Sequence, residues 1–102
     1  MNITVTKRAR GWHANTRVEL AEPHVLEIST FKNDRGLVSV AQRFKVDRGM
    51  KSFELFGDFN VTLMVSDNRC TEKSVRTQHS QALTRMDAIL EECAAFYAKK
   101  AS

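Results

Sequence analysis

Chain breakers are scarce in this sequence: proline occurs once, at position 23, and glycine four times, at positions 11, 36, 49 and 57. That scarcity excludes collagen-like and Pro/Gly-rich disordered chains and leaves few places where the backbone can reverse cheaply. Cysteine is equally sparse. Cys70 and Cys93 are the two present, too few for the disulfide framework of a small secreted scaffold. No apolar run approaches the ~18 residues that a membrane-spanning helix needs. The opening residues Met1-Asn2-Ile3-Thr4 also lack the apolar core of a signal peptide. The expectation is a cytoplasmic protein with no membrane partner.

Recognisable chemistry is missing as well. His13, His24 and His79 have no His, Cys or carboxylate at metal-ligand spacing, so neither a metal nor another cofactor is implied. No Gly-x-Gly-x-x-Gly, Walker-type or Gly-x-Ser-x-Gly element occurs, which removes the usual phosphate cradles and nucleophile elbows. The adjacent carboxylates Glu91 and Glu92 would point about 100° apart on a helix, a poor arrangement for paired acid-base work. No catalytic residue is assigned, and a non-enzymatic role is expected.

What is present is a long amphipathic stretch. From Thr71 to Ala98 the spacing Val75, His79, Ala82, Met86, Ile89, Cys93, Phe96 alternates steps of four and three. Leu83, Leu90 and Tyr97 widen the stripe. This is the pattern of a helix with one buried face. It predicts a single helix over about 71–98, with Thr71 as N-cap, Glu72 in the first turn, and Lys99 and Lys100 at the far end. Such a helix would hold Cys70 and Cys93 roughly 30 to 35 Å apart, far beyond disulfide reach. Cys93 then reads as a small buried hydrophobe, and His79 as a core or interface histidine bonded to a neighbour.

The residues before it alternate with period two. Ile3 and Val5 share one face. In the next segment Trp12, Ala14, Thr16, Val18 and Leu20 oppose His13, Asn15, Arg17 and Glu19. Leu26, Ile28 and Thr30 oppose Val25, Glu27, Ser29 and Phe31, and Val38, Val40, Phe44 and Val46 oppose Ser39, Ala41, Arg43 and Lys45. Two more extended segments, Met50–Phe56 and Phe59–Ser66, are expected to join at Gly57-Asp58. Turn residues stand at Ala9-Arg10-Gly11, Asn33-Asp34-Arg35-Gly36 and Asp47-Arg48-Gly49. The fold expected is α+β: an antiparallel β-meander of five or six strands within 2–66, then one long C-terminal helix on one face, all in one domain spanning 1–102.

Charge is uneven. Residues 1–51 carry ten Lys or Arg against five Asp or Glu, a balance of +5; residues 52–102 carry six against seven, a balance of −1. The strand region is therefore the basic part, and it admits an acidic partner such as single-stranded DNA or RNA. The candidate contacts are Lys7, Arg8, Arg10, Arg17, Arg35, Arg43, Lys45, Arg48 and Lys51, with Arg43 and Lys45 expected on the sheet face away from the helix. Trp12 and Phe31 are the aromatics able to stack on bases.

A 28-residue helix would extend ~42 Å, longer than the ~30 to 35 Å globule that a chain of this length forms. Its C-terminal turns are also the most apolar. Ile89, Leu90, Cys93, Phe96 and Tyr97 are therefore expected to pack against a second copy in a homodimer. Three functions are weighed: a homodimeric nucleic-acid-binding module, a protein-interaction module without nucleic-acid affinity, and a small-ligand binder or enzyme with a site between sheet and helix.

Overall fold

A computed structural model describes residues 2–20, 24–47 and 52–101, with backbone only for 46–47, 52–58 and 97–101. Strands β1 (Thr4–Arg8), β2 (Gly11–Glu19), β3 (His24–Asn33), β4 (Gly36–Asp47) and β5 (Ser52–Ser66) pair in sequence order, every pairing antiparallel. Helices α1 (Glu72–Leu83) and α2 (Met86–Ala101) follow and pack on one face. The α+β class and the meander are as expected. The single long helix is not: it divides at Thr84 and Arg85.

The division has a local cause. The Thr84 hydroxyl donates to the Gln81 carbonyl oxygen at 2.6 Å, and the backbone N–H of Arg85 reaches back three residues to Ala82 at 3.1 Å. These shorter-range bonds compete with the helical ladder and end it. The Arg85 guanidinium then donates to the Leu63 carbonyl oxygen at 3.0 Å. Leu63 has no register partner on β4, because Ser39 pairs with Met64 and Val40 with Thr62. A bulge in the sheet thus presents the acceptor that pins the helix break.

The buried stripe survives the division. Val75, His79 and Ala82 on α1 and Met86, Ile89 and Cys93 on α2 are all buried, and Phe96 is half-buried with its ring edge-on to Phe59, centroids 5.7 Å apart. Leu26, Ile28, Ala41, Phe59 and Leu63 meet α2 and the end of α1, while Ala14 and Leu37 meet Val75 with Val5 and Trp12 alongside. The helix side of the sheet is therefore lined by Ala14 and Thr16, by Leu26, Ile28 and Thr30, and by Leu37, Ser39 and Ala41.

Two expectations for β4 and β5 are corrected. The helix-facing set of β4 is the alternation Leu37, Ser39, Ala41, not Val38, Val40, Phe44. Gly57-Asp58 makes no turn, and the extended segments on either side of it form one strand of 15 residues. Gln42 pairs with Asn60 and Phe44 with Leu55, so Phe56 to Phe59 lie opposite Arg43 alone. A glycine inside a strand commonly marks such an irregularity. Among the described residues the sheet has five strands, the lower of the two numbers expected.

Candidate nucleic-acid interface

The first polar constellation to weigh lies between sheet and helix. The His79 ring, fully buried, has Nε2 2.8 Å from Thr16 Oγ1 and Nδ1 2.8 Å from Thr30 Oγ1. Thr30 Oγ1 is 2.7 Å from Ser39 Oγ. Gln78 Nε2 donates to Ser39 Oγ at 3.3 Å and to the Leu37 carbonyl at 2.9 Å, while Gln78 Oε1 accepts from Ser66 Oγ at 2.6 Å. The chain of bonds links four strands to α1. Burial, with a smaller push from the charge of His13, lowers the His79 pKa from 6.5 to about 4, so the ring is neutral near pH 7. Every polar group here has a protein partner, which makes this a structural network.

An open constellation lies at one end of the sheet. In a meander alternate turns share an end, so the β1–β2 turn, the β3–β4 turn and the segment after β5 are neighbours there. Pairing between β2 and β3 stops at Ala14 and Thr30, although β2 starts at Gly11 and β3 runs on to Asn33. Beyond that point the two hairpin tips part. The cleft between them, about 220 Å³, is lined by Arg8, Arg10, Trp12, His13, Phe31 and Lys32 among others. His13 and Phe31 stack on each other across the cleft, ring centroids 5.5 Å apart and planes 9° from parallel. Burial and the Arg8 charge lower the pKa of His13, against a smaller upward pull from Glu27, so this ring too is neutral near pH 7.

The tips are held from below. Gly11 has φ +119°, and a Cβ there would lie 2.9 Å from Cys70 Sγ; the Cys70 thiol donates to the Trp12 carbonyl oxygen at 3.1 Å. Gly36 has φ +121°, and a Cβ there would lie 2.4 Å from the Ser66 carbonyl oxygen. Each glycine thus lets the segment after β5 close up against a hairpin. Both cysteines are free thiols.

The expected contact residues divide between this end and elsewhere. Lys7, Arg8, Arg10 and Arg35 gather at the basic end, joined by Lys32 and Arg69 from β3 and the segment after β5. Asp34 and Asp67 are the acidic residues among these turns. Lys7 Nζ sits 6.0 Å from the centroid of the Trp12 ring. Arg17 is a strand-face residue whose guanidinium meets Glu27 at 3.4 Å. Arg43 turns toward α2, where it bonds the Cys93 sulfur, and with Lys45 it lies beside His24. These three do not join the cleft, and the basic residues do not form one sheet-face platform. Arg48 and Lys51 lie outside the described residues.

Of the expected dimer residues, Ile89 and Cys93 are each 2% exposed, covered by the chain's own sheet, and Leu90 and Phe96 pack on the same core. Tyr97 is described by its backbone alone. Lys32 and His13 are the cleft residues that the sequence reading left out; the shared end of alternate turns was the signal that could have found them. Among the described residues no helix is long and apolar enough to cross a membrane, and no cluster of three or more potential metal ligands occurs. Comparison with known proteins gives no matching family model, curated protein or solved structure.

Proposed function

We propose that this chain is a non-catalytic module that binds single-stranded nucleic acid in the cleft between its two hairpin tips. The observation that carries the reading is the parting of β2 and β3 beyond Ala14 and Thr30, which sets aromatic rings among unpaired cations. Among the described residues none of Arg8, Arg10 and Lys32 has a carboxylate partner. Cations on a groove wall suit phosphates, and the His13–Phe31 pair offers a ring face to an unstacked base. The bases of a duplex are already stacked on one another, so the reading favours single strands.

Fluorescence anisotropy with labelled single-stranded and duplex oligonucleotides at two salt concentrations tests it. Single strands are expected to bind more tightly, with a salt slope near −2 if about three phosphates are neutralised. Arg10→Glu with Lys32→Glu should weaken binding at least tenfold, whereas Lys45→Glu should change it little. Equal binding by all three proteins would sink the reading.

A protein partner is the second reading. It is favoured by Val65, 45% exposed on the face away from the helices and paired there with the buried Val38, which in turn faces the half-buried Phe31. That reading predicts no oligonucleotide binding even at low salt.

A further inference from the structure

We infer that the groove running from the cleft along the open face of β1–β3 selects guanine, an inference that rests on the nucleic-acid reading above. The groove encloses about 730 Å³ and shares Arg8 and His13 with the cleft. A strand whose phosphates meet Arg8 and Arg10 can therefore lay the adjoining base along the open face of the sheet, past the His13 ring. What the base edge meets there is Asn15, Ser29 and Glu27.

These three side chains are fixed to one another. Asn15 Nδ2 donates to Glu27 Oε1 at 2.5 Å and to Ser29 Oγ at 2.9 Å. A carboxylate accepts and never donates, so the amide nitrogen has to face Glu27, and Asn15 Oδ1 is turned away from it. Arg17 Nη2 holds the other carboxylate oxygen at 3.4 Å, and the Glu27 side chain is only 12% exposed. The carboxylate is thereby held in one orientation with two of its roughly four acceptor positions used. Both hydrogens of the Asn15 amide are spent inside the cluster. The Glu27 and Asn15 side of the groove therefore offers acceptors, the Glu27 carboxylate and Asn15 Oδ1, and the half-exposed Arg17 guanidinium beside them is a donor. Ser29 retains one hydroxyl hydrogen to give.

Guanine is the base that matches those acceptors. Its N1–H and N2–H₂ are adjacent donors, spaced to meet the two oxygens of one carboxylate, and its O6 accepts one hydrogen. Adenine and cytosine each set a ring-nitrogen acceptor beside their amino group, and that lone pair would face the carboxylate. Thymine and uracil flank one donor with two acceptors. Hypoxanthine keeps N1–H and O6 but loses the N2 amino group, so it isolates the second bond.

The test uses the native protein and thymine octamers carrying one central guanine, hypoxanthine, adenine or cytosine, measured by fluorescence anisotropy at low salt. The guanine octamer is expected to bind about fivefold or more tightly than each of the others, the discrimination of one bidentate contact. Glu27→Gln keeps the shape of the side chain and replaces one acceptor by a donor. It should abolish the guanine preference while leaving salt-dependent binding of the thymine octamer in place. Equal binding of all octamers overturns the inference and leaves the parent reading standing, as does a guanine preference that survives Glu27→Gln. Failure of every octamer to bind removes the parent reading and the inference together.

Discussion

His79 has two ring nitrogens and two hydroxyls to share them with, and its environment allows two proton arrangements. In one, Ser39 donates to Thr30, Thr30 to Nδ1, and Nε2–H to Thr16. In the other the direction reverses along the same atoms. Both require a neutral ring. The unfolded-state pKa is 6.5 and the folded-state value is about 4, so the contribution of His79 is complete above pH 6.5 and is lost as pH falls toward 4. The loss amounts to about 3 kcal/mol. Urea denaturation at pH 7, 5.5 and 4.5 should show it. In His79→Leu that acid sensitivity should vanish, while stability at pH 7 falls by about 1–3 kcal/mol because the Thr16 and Thr30 hydroxyls lose a partner. The same residues explain a misreading of the sequence. Thr30 and Ser39 are fully buried and Thr16 is 1% exposed, yet by type Ser39 reads as surface. Ser39 and Ala41 are small and sit under the helices, so the bulkier Val38, Val40 and Phe44 on the other face of β4 gave the cleaner apolar alternation. Periodicity records side-chain type, and a hydroxyl bonded to a buried histidine has the type of a surface residue.

At the scale of elements, the helix stripe was legible because a break of two residues preserves its phase. The break itself was not, since it depends on a strand bulge that pattern does not reveal. Arg85→Met should cost about 1–2 kcal/mol through loss of the bond to Leu63, read as a shift in the urea midpoint with the slope unchanged. Gly36→Ala combines a positive φ with a Cβ placed against the Ser66 carbonyl, and should cost more than 1 kcal/mol. The same change at an ordinary exposed strand position would be near neutral. Ile89→Ala tests the placement of α2: a loss of about 2–5 kcal/mol is expected for a residue in the chain's own core. A variant as stable as the native protein would mean that α2 does not pack there.

Across the whole molecule, the meander gathers Lys7, Arg8, Arg10, Lys32, Arg35 and Arg69 at one end, although they are scattered over more than sixty positions of sequence. The charge imbalance between the two halves of the chain was visible beforehand; its concentration at an end of the sheet follows from strand order and was not. With Ile89 and Cys93 covered by the chain's own sheet, a homodimer through α2 would rest on the half-buried Leu90 and Phe96. Sedimentation equilibrium at tens of micromolar protein tests that pairing: a monomer mass rules it out. The unfinished seam between β2 and β3 has a mechanical consequence. Two hairpins joined below Ala14 and Thr30 and separate above form a forceps: the helix-covered half is the pivot and the two tips are the jaws. Opening the jaws separates the stacked His13 and Phe31 rings, while Trp12, packed beside Ala14, Leu37 and Val75 and hydrogen-bonded to Cys70, ties the β1–β2 tip to the core. Hydrogen exchange should register the difference, with the amides of Gly11 to His13 and Phe31 to Asn33 exchanging before those of Thr16 to Val18, and slowing when the jaws close on a ligand.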